Sequence, residues 1–307
     1  MSRSIHRRAL LRALCLPLLL VTIVACHRQD PSALNANELF FDETLASISP
    51  DATLPDLFYI GTEDGVVYAY DADQGTTRRW LTAFDRIYKV LRDQPADSAV
   101  QPHDGTTFWV GTRNMGVVRC QLQGDSLVLL RQYALPRSGR GTHYSVYDLH
   151  QDPSGLYVAT SNGLFLLSPN DTMQALHASW EIQSGEGAFR PLVVSDIRPL
   201  HNGSLVCASA SGVLSIDTRR RQSHLLLRAN CTSLSLSGDT LLALCGDSIK
   251  ALLPDGRLVG KSRLSHPAYT CFHEPSSRMN YLLDGTSVQF FSNDEIADRL
   301  TPRRAPL

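Results

Sequence analysis

Two aspartates occupy matching positions in two similar stretches of the sequence. Asp148 lies in the stretch VYDL and Asp196 lies in VSDI. Two carboxylates that face each other can serve as general acid and general base, as they do in glycosidases. An aspartate at such a position can also form a structural hydrogen bond to the neighbouring repeat. We favour the structural bond, and the acid–base pair is the alternative.

The cysteines and histidines do not indicate a metal site. No two cysteines form a CxxC pair, and the ten histidines lack the spacing of zinc ligands. An odd number of cysteines among apolar residues is typical of small buried hydrophobes rather than of a disulfide framework. We therefore expect no metal and no cofactor. The cysteines of the strand-like body are Cys120, Cys207, Cys231, Cys245 and Cys271.

One pair of cysteines has the spacing for a disulfide. Cys231 and Cys245 flank a predicted hairpin, and a turn centred on Gly238 would place them opposite each other. A register slip of one residue would turn their side chains to opposite faces of the sheet. We expect both sulfurs on the same face of neighbouring strands, with reduced, packed thiols favoured over a disulfide.

Charge and motifs exclude several classes of function. The 29 basic and 30 acidic residues leave no basic footprint for nucleic acid. The sequence contains no GxSxG, P-loop or HExxH motif. Trp80, Trp109 and Trp180 lie in strand-like segments, where we expect core residues rather than platforms for sugar rings.

The first residues are typical of an export signal. A basic segment is followed by an apolar run at residues 13–24 that is too short to span a bilayer. The run ends in IVAC, which resembles the lipobox of bacterial lipoproteins and implies a lipid on the sulfur of Cys26. We therefore predict a signal peptide (1–25), a flexible tether (26–37) and a folded domain (38–307). The expected location is the bacterial cell envelope, with a lipid anchor in the outer membrane.

A strand–turn–strand pattern organises the rest of the chain. It is clearest in GLYVATSNGLFLL (155–167), where Gly163 suits a turn residue with positive φ. The pattern recurs at intervals of about 36 to 50 residues, the usual length of a propeller blade. Other strand-like segments flank each hairpin, and no segment predicts a helix. The sequence thus predicts an all-β fold, a β-propeller of about six four-stranded blades, with five or seven as alternatives.

Several repeats resemble known propeller families. The stretches WVGTRNMGV (109–117) and VYDLHQDPSGLYVATSNGL (146–164) resemble the repeat of two-component regulator propellers. That resemblance implies a sensor-type propeller, often periplasmic and fused to a histidine kinase, of which only the propeller part is matched. The first repeat, GVVYAYDADQG (65–75), is similar to quinoprotein-type repeats, which also build propellers.

Two early repeats contain longer connections than the later ones. PRSGRGT (136–142) and SGEGAFR (184–190) lengthen equivalent connections, which up-and-down connectivity places on one face of the disc. Loops on a rigid scaffold often bind ligands, and arginine and aromatic residues are enriched at interfaces. Solvated insertions are the alternative. The predicted binding residues are Arg137, Arg140, Tyr144, Phe189 and Arg190.

These features together predict a binding module. We expect a membrane-anchored, non-catalytic propeller lipoprotein whose partner is an envelope protein or a glycan, with the membrane contacted through its N-terminal lipid. One alternative is an enzyme of the lyase or glycosidase type that uses acids near the axis. Another is a structural subunit of an outer-membrane assembly, which would expose an apolar patch on one face or on the rim.

Overall fold

The computed structural model describes most of the chain beyond residue 37. The described residues are 38–54, 56–93, 101–135, 144–176, 193–200, 203–220, 222–237, 239–264, 268, 270–274, 279–283, 285 and 287–292. None of them lies in a helix, so this part of the chain contains no helix suited to crossing a membrane. The predicted signal peptide and tether lie outside these residues and stay predictions.

The described residues form short antiparallel strands. Their bounds, in chain order, are β1(Glu38–Phe40), β2(Leu45–Pro50), β3(Leu57–Thr62), β4(Val66–Asp71), β5(Thr76–Leu81), β6(Ile87–Arg92), β7(Thr107–Thr112), β8(Val117–Gln123), β9(Ser126–Tyr133), β10(Val146–Asp152), β11(Gly155–Thr160), β12(Gly163–Leu167), β13(Met173–Ala175), β14(Val194–Pro199), β15(Leu205–Ser209), β16(Gly212–Asp217), β17(Gln222–Leu227), β18(Ser233–Ser237), β19(Thr240–Cys245), β20(Ser248–Leu252), β21(Leu258–Arg263), β22(Thr270–Glu274), β23(Met279–Leu283) and β24(Ser287–Ser292).

The described strands form six blades of four strands each, in which neighbouring strands from β2 to β24 within a blade are antiparallel. Blades 1 to 5 are β2–β5, β6–β9, β10–β13, β14–β17 and β18–β21, and the sixth has the order β1-β24-β23-β22. Blades 1 and 2 are further joined by one parallel bridge, between Leu81 and Ser126. This architecture confirms the predicted β-propeller.

Packing between the first and last blades closes the ring. The backbone N–H of Leu45 donates a hydrogen bond to the carbonyl oxygen of Gly285. Leu45 and Ile48 of blade 1 also share a buried cluster with Leu283 and Val288 of blade 6. Because each blade buries its apolar residues against its neighbours, closure leaves no blade with an uncovered inner face.

The hairpin turns follow the predicted chemistry. Gly163 has a φ of 105°, a value that side chains rarely tolerate. The hydroxyl of Thr160 donates to the carbonyl oxygen of Gly163 at 2.9 Å, and Ser209 makes the equivalent bond to Gly212 at 2.8 Å. A Cβ on Gly212 would lie 2.1 Å from the carbonyl oxygen of Leu227. The Thr/Ser-to-Gly spacing is therefore a requirement of the turn itself.

The tryptophans that the structure describes belong to the core. Trp80 is 2% exposed and packs 5.8 Å from Tyr59 and 5.4 Å from Phe108, measured between ring centroids. Trp109 is 8% exposed. The prediction of core positions is confirmed for these two, and Trp180 lies outside the described residues.

Candidate functional site: an axial cavity lined by bulged strands

The innermost strands of blades 1 to 4 share one irregularity near their starts. In β10, Val146 pairs with Thr160, but Asp148 pairs with Ala159, so one extra residue is inserted between them. The strands β2, β6 and β14 show the same shift against their partners. Such a β-bulge re-aims the local side chains. The inserted residues are Ala46, Tyr88, Tyr147 and Ser195.

Blade 5 also has one inserted residue near the start of its innermost strand, and there it lies beside a disulfide. β18 pairs with β19 so that Ser233 lies opposite Leu244 and Ser237 opposite Thr240. Continued without interruption, this register would place Thr232 opposite Cys245. Instead Cys231 is bonded to Cys245, with Cα atoms 4.1 Å apart, so Thr232 takes the place of the inserted residue.

The structure corrects our expectation for these cysteines. We favoured reduced thiols because a one-residue slip in register would separate the sulfurs. The hairpin register does differ by one residue from a turn centred on Gly238, and the inserted Thr232 compensates for the difference. The prediction that both sulfurs share one face is confirmed, and the prediction of reduced thiols is wrong.

The inserted residues line one cavity. It has a volume of about 540 Å³ and lies where the starts of the innermost strands of all six blades converge, at one end of the propeller axis. This volume is within the usual range for small-molecule sites. Its wall includes Ala46, Tyr88, Tyr147, Ser195 and Thr232, together with Thr44, Leu45, Glu63, Arg86, Val193, Thr270 and Gly285.

One side of the cavity is a cluster of aromatic and paired charged groups. The rings of Tyr88 and Tyr147 lie 5.1 Å apart between centroids, at an angle of 66°. The Cζ of Arg86 lies 5.7 Å from the centroid of the Tyr88 ring, and its Nη1 donates to the Tyr88 hydroxyl at 3.3 Å. Arg86 also forms an ion pair with Glu63. We call these four residues the tyrosine corner of the cavity.

Two groups of the tyrosine corner keep their protons at neutral pH. The hydrogen bond that Arg86 donates to Glu63 raises the pKa of Arg86 beyond its usual value, so the guanidinium stays protonated. Burial raises the pKa of Tyr147, so its hydroxyl also keeps its proton. The cavity therefore offers tyrosine hydroxyls as hydrogen-bond donors and one internally neutralised charge pair.

In blades 1 to 4, the residue after the inserted one turns sideways and bonds to the next blade. Ser47 Oγ donates to the carbonyl oxygen of Ile87 at 3.0 Å, and Lys89 Nζ lies 2.8 Å from Asp148 Oδ1. We call Ser47, Lys89, Asp148 and Asp196 the inter-blade girdle.

The two girdle aspartates make the bonds that the sequence favoured. The backbone N–H of Ile197 donates to Asp148 Oδ2 at 2.9 Å, and that of Leu234 donates to Asp196 Oδ2 at 2.8 Å. Each acceptor lies one blade before its donor. The structural interpretation of Asp148 and Asp196 is confirmed.

Arg198 links the two aspartates. Its Nη1 donates to Asp148 Oδ2 at 3.0 Å and lies 2.7 Å from Asp196 Oδ1, and its Nη2 donates to Asp196 Oδ2 at 3.3 Å. Burial alone would raise the pKa of Asp148, but Lys89 and Arg198 hold it well below its ordinary value. Burial, opposed by Arg198 and reinforced by the charge of Asp148, raises the pKa of Asp196 to about 7.

The two aspartates therefore lie close together, but they are buried inside the protein. Asp148 is 3% exposed and Asp196 is 5% exposed, and neither contributes to the described wall of the cavity. An acid–base pair that handles substrate needs a path from the cavity to the carboxylates. The arrangement in the structure is that of a buried ion cluster between blades.

Most of the predicted binding residues lie outside the described residues. These are Arg137, Arg140, Phe189 and Arg190, and Cys26 also lies outside. Tyr144 is described, and it is 8% exposed with its ring 6.3 Å from that of Phe165, so it packs in the core.

The structure does place the ends of the two long connections. They lead into β10 and β14, whose starts line the cavity, and Val193 is itself part of the wall. Sequence reasoning missed the tyrosine corner. The sequence did contain one signal for the cavity wall, because the residue before each matched aspartate lines it. The bulge that turns Tyr147 into the cavity could not be identified from the sequence.

Comparisons with known proteins give the fold and no family. No protein-family model matches the chain, and no curated protein matches it. Solved structures that do match include the extracellular domain of a one-component system from B. thetaiotaomicron, at 16% identity and a TM-score of 0.53. The match covers 83% of this chain and 39% of that one, so the chain spans well under half of the neighbour's length.

Two further neighbours match over nearly their whole length. The β-propeller domain of Cps50 (Swd1) from Myceliophteria thermophila is 14% identical with a TM-score of 0.55, over 83% of this chain and 98% of that one. A protein provisionally named gluconolactonase is 14% identical with a TM-score of 0.58, over 83% of this chain and 92% of that one. At such identities the likeness establishes the fold alone, and this chain is a β-propeller.

Proposed function

We propose that this chain is a lipid-anchored, non-catalytic propeller that binds a protein segment or a glycan of the bacterial cell envelope in its axial cavity. The observation that carries the proposal is the convergence of Tyr88, Tyr147, Arg86 and Glu63 in one open cavity of about 540 Å³. Tyrosine and arginine are the residues that most often supply binding energy at interfaces. The starts of β10 and β14, which follow the two long connections in the chain, lie at the same end of the propeller.

The state of the charged groups supports binding rather than catalysis. Asp148 and Asp196 are committed to hydrogen bonds between blades, and Glu63 is paired with Arg86. A general acid or base must lie within hydrogen-bond distance of the substrate and be able to donate or accept a proton there. Among the described residues of the cavity wall, no carboxylate is free of a cationic partner.

The disulfide supports the proposed location. Disulfides persist in oxidising compartments such as the periplasm and the cell surface and are rare in the cytosol. The bond between Cys231 and Cys245 is consistent with export by the predicted signal peptide. The neighbour from B. thetaiotaomicron is an extracellular domain, which supports the same location.

Replacement of the predicted lipidation site tests the anchor. We expect Cys26→Ala to leave the domain folded but to move it from the membrane fraction to the soluble fraction. A lipidated cysteine supplies two acyl chains, enough for stable anchoring. Fractionation and immunoblotting measure the distribution, and Cys120→Ala is the control, because Cys120 is a buried core residue. If the Cys26 variant stays in the membrane fraction, the anchor proposal is wrong.

Replacement of the tyrosine corner tests the binding site. We expect Tyr88→Ala with Tyr147→Ala to weaken capture of envelope components about tenfold or more, because loss of a central aromatic anchor typically has such an effect. Pull-down from solubilised envelope, with quantified yields, measures the change. Arg140→Glu with Arg190→Glu, in the two long connections, should reduce capture as well if those segments flank the ligand.

A variant on the rim separates this proposal from a structural role. The outer strand β9 exposes Val128, Leu129 and Leu130 by 40%, 41% and 49%, which favours a structural subunit as the second candidate. Leu129→Lys should leave capture unchanged if the cavity is the binding site. If this variant abolishes capture and the tyrosine variant does not, the rim is the interface and the cavity proposal fails.

A further inference from the structure

We infer that the ligand of the axial cavity is an uncharged saccharide, with about one or two sugar rings inside the wall; this inference rests on the proposed function and names its ligand class. It follows from three properties of the cavity: its charge balance, its aromatic and hydroxyl groups, and its volume.

The charge balance of the described wall disfavours strongly charged ligands. Arg86 and Glu63 are the only charged side chains of the described wall, and they form an ion pair with each other. A ligand carboxylate would compete with Glu63 for the guanidinium, and a ligand ammonium group would compete with Arg86 for Glu63 and the Tyr88 ring. Either ligand would leave one partner of the pair without its counterion, and since these side chains are 29% and 39% exposed, the cost is modest but still favours a ligand without charge. An uncharged ligand leaves the pair intact.

The remaining groups match the two kinds of surface on a sugar ring. Tyr88 and Tyr147 form a corner, with ring planes at 66°, so the apolar C–H face of a sugar can stack on one ring. Because the Tyr88 oxygen accepts a hydrogen bond from Arg86, its own proton is available to the ligand. Thr44, Thr232 and Thr270 add hydroxyls that both donate and accept, as the hydroxyls of a sugar do.

The volume of the cavity limits the size of the ligand. The available volume of about 540 Å³ is enough for about one or two sugar rings inside the wall. Lys89, Asp148 and Asp196 directly follow cavity residues in the chain, yet they are 8%, 3% and 5% exposed, because they are turned toward the neighbouring blades. They therefore add no charge to the described wall of the cavity.

Titration with saccharides tests the inference on the full mature, lipidated protein. The protein is kept in a zwitterionic detergent that contains no sugar headgroup. An array of neutral oligosaccharides provides the first screen, and isothermal titration calorimetry measures the positives beside an oligogalacturonide trisaccharide and a capped neutral Gly/Ser/Tyr hexapeptide. We expect at least one neutral oligosaccharide to bind, and neither the oligogalacturonide nor the peptide to bind comparably.

Matched variants assign the binding to the cavity. Tyr147→Ala is expected to weaken the neutral saccharide about tenfold or more, because it removes the stacking surface. Tyr147→Phe keeps the ring and should bind within a few-fold of wild type. Leu258→Ala, on the exposed rim, should have no effect. Circular dichroism confirms that each variant is folded.

The possible failures are distinct. If the peptide binds in a Tyr147-dependent way and no neutral saccharide does, the inference is overturned and the proposed function stands. If the oligogalacturonide binds as tightly as the neutral sugars, the charge argument is wrong. If no probe binds and Tyr88→Ala with Tyr147→Ala leaves capture from the envelope unchanged, both the inference and the proposed function fail.

Discussion

Asp148→Asn is expected to destabilise the propeller by about 3 kcal/mol, because removal of one partner from a buried ion pair leaves charge without compensation. Asp148 lies 2.8 Å from Lys89 Nζ and 3.0 Å from Arg198 Nη1, so it joins cations from two neighbouring blades. The side chains of these cations are 10% and 15% exposed, which leaves them little access to water. Urea unfolding at pH 6, followed by tryptophan fluorescence, measures the loss.

Asp196→Asn is the matched control and should cost less than about 1 kcal/mol at the same pH. The pKa of Asp196 is about 7, so at pH 6 its carboxyl is protonated and an amide closely resembles it. The amide oxygen can still accept the hydrogen bond from the backbone N–H of Leu234. If Asp196→Asn costs as much as Asp148→Asn, the assignment of the charge to Asp148 is wrong.

The raised pKa of Asp196 makes the stability of the protein depend on pH. An unfolded aspartate releases its proton near pH 3.9, whereas folded Asp196 retains it up to about pH 7. The folded state thus binds more protons between these values, and the contribution of Asp196 to stability falls as pH rises from about 4 to 7. Asp196→Asn should remove this decline. A decline that is unchanged in the variant would show that another group causes it.

Loss of the disulfide is the second large expected effect. Cys231→Ala with Cys245→Ala should destabilise the protein by about 3 kcal/mol, the value for a cross-link that closes a loop of about 15 residues. The residue numbers of the bonded cysteines differ by 14, and the two residues are 1% and 8% exposed. Thermal or urea unfolding of the variant, compared with the oxidised wild type, measures the change.

Cys207→Ala is the control for the lost side-chain volume. Cys207 is fully buried and is not bonded to another cysteine, so its replacement removes packing but no cross-link. A reducing agent should destabilise wild type and Cys207→Ala equally and should leave the Cys231/Cys245 double variant unchanged. Equal stability of the double variant and Cys207→Ala would contradict the proposed contribution of the cross-link.

The sequence by itself determined the repeat and the strands of the blade. The stretch at residues 155–167 was predicted as strand, turn and strand and is found as β11 and β12, and Gly163 has the positive φ that its turn requires. These features depend on side-chain alternation and turn chemistry within about a dozen residues, so they can be read locally. The inter-blade hydrogen bonds of Asp148 and Asp196 were also predicted, because the two residues occupy matching positions in consecutive repeats.

Only the tertiary structure decided what faces the axis. The bulge in β10 turns the inserted residue, Tyr147, into the cavity and turns Asp148 toward the next blade. In blade 5, the inserted Thr232 brings Cys231 opposite Cys245. A bulge shifts the alternation of side chains by a single residue, and in strands of six or seven residues that shift is too small to identify from the sequence. The bonds that accompany it, such as Lys89 to Asp148, join residues of different blades. The cavity and its tyrosine corner therefore arise from the assembly of blades into a ring, since each blade alone lacks the partners that complete them. The disulfide depends instead on the inserted residue within blade 5.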